Sequence, residues 1–416
     1  TAWKRRGYTF DACIHWLVGS SPDSPQHGIW EETGIAQGRK FVYPDEYCRC
    51  EGGDGRTVIF YSDAGRLEEH LLQLSPQDEE TIRDFISGVR MCTRFDFPSD
   101  DDPPFVRLRK TIAMFLAFIK NGREWKKWTN ITGEEFASRF SDPLLKEAFR
   151  EIWIPEFSML FMLFTFAWLH KRNAGYPIGG SMPMSKALEA RYRELGGVIN
   201  YNSKVARILT TDGRATGIRL VDGTEIPAAR VISAADGHAT LFNMLDGKYL
   251  DTKTRHQYEK WPLFHSLLFI SLGVNRKFDD LPVTVSGISF QLKEPVMIAD
   301  KMRERLPVHV YNQDLTMAPE GKTAVTVMFD SDYGYWQKLH EDPAVYVQKK
   351  DDIAKTVVRL LEQRFPGITE QVEVTDVATP LTFERYTGNW QGSFEGWIIT
   401  PENAYTMTKP LPQTVP

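Results

Sequence analysis

A chain of 416 residues is too long for one small core and points to about two to three domains. Its 42% hydrophobic and 25% charged residues are ordinary for a soluble globular protein, and a formal net charge of -5 leaves no basic footprint for nucleic acid. Four cysteines, at 13, 48, 50 and 92, are too sparse for a secreted disulfide scaffold and match no zinc-ligand spacing, so all four are expected as reduced thiols in a cytoplasmic protein.

The first stretch is polar and strand-like, without a signal-peptide pattern. Residues 1–18 read as a hairpin with Gly7 at its turn. A short helix is expected at 25–32. Strands at 40–50 and 56–61 flank Gly52-Gly53-Asp54-Gly55, a strong hairpin signal. From 63 to 172 the pattern is helical, with Ser75-Pro76 a good helix start. The break at 97–104 carries Asp100, Asp101 and Asp102 between prolines, which fits a solvated loop better than a metal site. Residues 105–119 join an apolar body to Arg107, Arg109, Lys110 and nearby Lys120. The apolar run 157–169 is too short to span a membrane; for it and for 105–119 a buried helical core and a substrate tunnel with a membrane-resting surface are equal readings.

At Tyr176 an α/β unit begins. Its helix, 184–195, places Met184, Ala187, Leu188, Tyr192 and Leu195 on one face, with Ser181 as N-cap and Gly196-Gly197 as the stop. Four short strands are expected next, broken at Asp212-Gly213 and Asp222-Gly223, and a strand at 230–234 closes the unit. Strands at 265–274, 284–292, 307–312 and 323–329 precede a helix at 343–365, where Ile353, Val357, Leu360 and Leu361 share a face.

The Gly179-Gly180 step before a helix would let backbone N–H groups approach a ligand, although glycines serving turns in an ordinary βαβ unit explain it as well. There is no H-E-x-x-H, G-x-S-x-G, P-loop or G-x-G-x-x-G anywhere in the chain. Zinc peptidase, serine hydrolase and NTPase readings drop out, and no metal is expected.

Three segments carry a resemblance. Pro177-x-Gly179-Gly180, a helix, Leu195-Gly196-Gly197, then Ser203-Lys204-Val205-Ala206-Arg207, two Asp-Gly turns and Ala234-Ala235-Asp236 resemble the second FAD-contacting segment of phytoene desaturase-like and flavin amine oxidase proteins. The resemblance implies that the backbone of Val205 meets the adenine, that Lys204 and Ala206 flank it, and that Ala234 returns the chain to the flavin domain. Thr1, Gly7, Phe10, Asp11 and His15-Trp16 are similar to the stretch that follows the family's Gly-Gly pair, which implies FAD contacts from Thr1, His15 and Trp16. Cys13 stands where many relatives have glycine. Without the resemblance, His15 reads as a core histidine on an apolar strand. The segment 379–416 is similar to a stretch that walls the substrate channel beside the flavin. It offers Glu384, Arg385 and Tyr386, with His15, as candidates near the flavin, and a loop staple is an equal reading of those three and of Trp390. Trp390, Trp397, Phe161 and Phe164 are the channel candidates; no residue is assigned as catalytic.

The implied fold class is α/β. A discontinuous FAD-binding domain of the glutathione-reductase type (1–20, 176–238 and 379–416) joins a mixed-sheet substrate domain (21–62 and 239–378) and a helical cap (63–175) that faces a membrane. The implied function is an FAD-dependent oxidoreductase that passes hydride from a long apolar, carotenoid-like polyene to flavin N5, in desaturation or isomerisation. Two rivals stand: a flavin amine oxidase, with Trp390 and Trp397 as an aromatic cage, and a non-catalytic lipid- or membrane-binding remnant. The missing G-x-G-x-x-G and final flavin motif are expected to reflect truncation at both ends, with weak FAD binding unless those parts are supplied. The implied partners are an apolar small molecule and, peripherally, a membrane.

Overall fold

The computed structural model describes residues 2–95 and 102–404. Thr1, Asp100, Asp101 and the third segment beyond 404 lie outside the described residues.

The N-terminal strands Ala2–Arg5 and Tyr8–Asp11 pair as a hairpin. Arg6 and Gly7 at its turn both take positive φ, 47° and 89°, the turn whose twist matches that of paired strands. All of Tyr8–Asp11 is buried, because the hairpin lies across a large sheet with Trp3 against Phe269 at 5.9 Å between ring centroids.

That sheet has seven strands, in the order Val372–Ala378, Leu267–Val274, Thr323–Asp330, Lys301–Val310, Thr284–Ile298, Glu46–Glu51 and Thr57–Tyr61. Neighbours are antiparallel except Thr284–Ile298 with Glu46–Glu51, which run parallel, so the sheet is mixed. Alternation puts Leu268, Ile270, Leu272, Val325, Val327, Leu306 and Val308 in one core with Ile353, Val357, Leu360 and Leu361 of the helix Pro343–Leu361. The other face looks toward the hairpin.

The helices Ala64–Leu74, Glu79–Cys92, Gly122–Thr129, Pro143–Glu151 and Met159–His170 build a second core around Phe85, Trp128, Phe149, Leu163 and Phe166. Met159–His170 is apolar nearly all round, and such a helix is stable only when enclosed. Pro104–Lys120 is its opposite: Phe105, Leu108, Ile112, Phe115, Leu116 and Ile119 are 51–76% exposed. The two apolar runs, equivalent on paper, thus have different environments. Among the described residues no helix is long and apolar enough to cross a membrane.

The α/β unit differs from expectation in three places. Its helix is Ser181–Glu194 with Gly180, not Ser181, at the N-cap. Three strands follow it rather than four: Val205–Thr211, Arg214–Leu220 and Glu225–Pro227. Residues 230–234 form no strand, and Ile232 is 93% exposed. A strand is defined by its ladder, and among the described residues nothing pairs with this stretch, however β-prone its composition.

Candidate functional site

Asp11 ends the inner strand of the hairpin and ties three elements together. Its carboxylate accepts hydrogen bonds from the Ser181 N–H at 2.5 Å, the Ser181 hydroxyl at 3.0 Å and the Cys13 N–H at 2.9 Å. Its carbonyl accepts the Tyr311 hydroxyl at 3.1 Å. The N-terminus of the helix Ser181–Glu194 is therefore already satisfied by an internal anion, and the Gly-Gly step serves close packing, not a free anion site. Gly180 has φ 69°, and a Cβ there would collide with the Asp11 carboxylate. Beside it, Asp314 accepts from the Tyr176 hydroxyl at 2.9 Å and the Gly179 N–H at 2.7 Å.

The loop leaving Asp11 places His15 against the sheet. The His15 ring stacks on His309 of Lys301–Val310 at 5.4 Å, and His309 in turn meets Tyr311 at 4.3 Å. Burial pushes His15 below its ordinary range, Asp11 opposing the shift, and pushes His309 down to about 3 with help from His15. Both imidazoles are neutral at pH 7. Among the described residues neither nitrogen of His309 has a hydrogen-bond partner.

From His15 an aromatic wall runs toward the helices. Trp16 lies 6.2 Å from His15, 5.9 Å from Tyr47 and 6.1 Å from Trp153. Trp153 meets Phe157 at 5.8 Å, and Phe157 meets Phe161 at 5.3 Å and Phe264 at 5.7 Å. The third segment closes this end. Trp397 pairs with Leu263 and Ser393 with Ser266, while Ser158 donates its N–H to Ile399 at 2.9 Å.

The remaining residues expected from sequence are dispersed. Trp397 packs on Tyr258 at 4.7 Å and Trp261 at 5.0 Å. Trp390 stacks on His238 at 4.1 Å, whose ring also covers Phe242 at 4.4 Å. Glu384 accepts the Tyr333 hydroxyl at 2.6 Å, while Arg385 and Tyr386 are exposed and lie against each other. Among the described residues no hydrogen bond or ring contact joins these three to His15. Phe164 sits in the helical core against Trp168, not on the wall with Phe161. Val205 and Ala206 open the edge strand Val205–Thr211, where the register slips between Val205 and Arg207. A bulge on an edge leaves backbone groups unpaired and available. Lys204, next in the chain, and Ala234 are both exposed.

Sequence reading passed over His309, Tyr311, Trp153, Tyr47 and Phe264. A signal existed for two of them: His309 and Tyr311 alternate with Val308 and Val310, the period-2 mark of residues on the opposite face from the helix-packed core.

The family model described as flavin containing amine oxidoreductase matches residues 2–394. The chain belongs to that family. Prolycopene isomerase, chloroplastic, of Arabidopsis thaliana is 27% identical over 227 residues, 54% of this chain and 38% of that protein. Phytoene desaturase (neurosporene-forming) of Rhodobacter capsulatus is 26% identical over 351 residues, 80% of this chain and 65% of its own length. This chain thus spans well under half the length of the first relative and under two thirds of the second. An oxidoreductase from Methanosarcina mazei shares the fold, with a TM-score of 0.55 at 15% identity over 98% of this chain and 90% of that one.

The family's flavin can be tested against the site. The bulged edge at Val205-Ala206 and the rings of His15 and Trp16 are the groups that would meet FAD. The 416 residues hold no G-x-G-x-x-G.

Proposed function

We propose that this protein is an FAD-dependent oxidoreductase acting on a long apolar polyene, in desaturation or isomerisation. The observation that carries the reading is the unbroken aromatic wall from His15 and Trp16 through Trp153 to Phe157, Phe161 and Phe264. Bound FAD supplies the hydride acceptor. The chain's own contribution is to hold an extended hydrocarbon against the wall, exclude water and fix which carbon faces His15. A row of aromatic faces suits a reaction in which positive charge spreads along a polyene. The division into a flavin-binding part (1–20, 176–238, 379–416), a substrate sheet (21–62, 239–378) and a helical cap (63–175) belongs to the same proposal.

The amine oxidase reading is weaker, because His238 already covers the face of Trp390 that a cation would need. Pro104–Lys120 is proposed as the surface that rests on a membrane. Its exposed apolar side is continued to residue 127 by a stretch that brings the basic residues to seven against one acidic, Glu124.

The test is the visible spectrum of the purified chain before and after FAD is added, followed by anaerobic incubation with a carotenoid polyene. For desaturation, flavin bands that bleach as the polyene spectrum changes are the expected result; for isomerisation, a polyene spectrum that changes without net bleaching once the flavin has been reduced. A chain that holds flavin yet leaves every polyene unaltered while oxidising amines would overturn the substrate assignment.

A further inference from the structure

We infer that the His15–His309 pair is the binding point for a single neutral oxygen function, a hydroxyl or carbonyl, on an otherwise apolar ligand. The inference rests on the polyene reading above and narrows its substrate class.

His309 is only 5% exposed, and among the described residues neither ring nitrogen has a hydrogen-bond partner. Buried polar atoms are nearly always paired, so an orphaned imidazole in a family of small-molecule enzymes asks for a ligand. It belongs to a polar row. The sheet register sets Ser271 beside Thr326 and Thr326 beside His309, and the buried Ser271 hydroxyl is also without a partner among the described residues. Phe269, Gly273, Ala324 and Met328 surround that row on the same face. The Tyr311 hydroxyl is committed to the Asp11 carbonyl and cannot serve His309.

Geometry gives the row a direction. Tyr311 meets the His309 ring at 4.3 Å and His15 stacks on it at 5.4 Å, and of these two neighbours only Tyr311 has its polar atom engaged. His15 is the more accessible of the two and makes no hydrogen bond among the described residues. It stands where the aromatic wall begins, so a ligand lying along Trp16 and Trp153 brings its end to the imidazoles.

The chemistry of the pair selects the ligand. A neutral imidazole offers one donor and one acceptor, which matches a hydroxyl or a carbonyl. A carboxylate or phosphate would find no Arg or Lys bonded at either ring. An ammonium would need a counter-charge, and Asp11, the carboxylate that acts on His15, is engaged by Ser181 and Cys13.

The experiment uses the purified chain, unlabelled and with 15N-labelled histidine. A long isoprenoid alcohol and the hydrocarbon of the same skeleton are titrated in turn, with tryptophan quenching for affinity and imidazole 15N shifts for the site. The alcohol is expected to bind about ten-fold more tightly and to move two histidine signals that the hydrocarbon leaves in place. His309→Phe, which keeps the ring stack, should remove the preference. His15→Phe gives the same reading from the more accessible ring if the buried change prevents folding. Equal affinity for the two probes, or a preference that survives both substitutions, overturns the inference while leaving the polyene reading intact. Failure of both probes to bind overturns the polyene reading as well.

Discussion

Replacing Asp11 with alanine tests whether the hairpin, the Gly-Gly helix and the sheet are held by one carboxylate. Asp11 is 1% exposed and accepts three hydrogen bonds, two from Ser181 and one from Cys13. Alanine strips the acceptor from two backbone N–H groups and a hydroxyl, and leaves the Ser181 N–H at a helix start without an anion. Unpaired buried groups cost about 1–3 kcal/mol each, and partial re-solvation through the half-buried Ser181 lowers the sum to about 3–5 kcal/mol. Asp11→Asn keeps the shape and one acceptor and should cost about 1–2 kcal/mol. Tyr311→Phe removes only the bond to the Asp11 carbonyl and should cost about 1 kcal/mol. Urea unfolding followed by tryptophan fluorescence reads all three, with midpoints falling in that order and the slope unchanged. A loss under about 1 kcal/mol for Asp11→Ala would refute the reasoning, because the knot would then be decorative.

Further outcomes follow from other contacts. Gly180→Ala adds strain at φ 69° to a collision with Asp11, and about 2–4 kcal/mol should be lost in the same urea assay. His309 holds fewer protons folded than unfolded between its ordinary value and about 3, so stability must fall as pH falls through that window. About 2 kcal/mol should disappear between pH 7 and pH 5, and His309→Phe should flatten that slope; equal slopes in the two proteins would contradict it. Arg305 is buried, donates to the Glu51 and Ser289 carbonyls, and lies 3.5 Å from Glu147 and Glu151, so Arg305→Met should destabilise by about 3–5 kcal/mol. Ile112→Glu with Leu116→Glu should change stability by less than about 0.5 kcal/mol yet reduce sedimentation with anionic vesicles; unchanged sedimentation would remove the membrane surface from Pro104–Lys120.

What the sequence determined by itself was local or motif-borne. The turn at Arg6-Gly7, the helix face of Ile353, Val357, Leu360 and Leu361, and the strand runs ahead of it follow from φ preferences and periodicity acting over a few residues. Membership of the flavin containing amine oxidoreductase family was legible from motif spacing, and the family match over 2–394 bears it out. Tertiary structure alone decided the rest. Whether 157–169 or 105–119 lay inside depended on which neighbours arrived, since apolar composition is the same demand in both. The stretch 230–234 has strand composition but found no ladder. Asp11 and Ser181, 170 residues apart, and His15 and His309, from a loop and a sheet strand, meet only because the hairpin folds across the sheet. Local preference cannot encode such pairings: they are settled by register and burial over the whole chain.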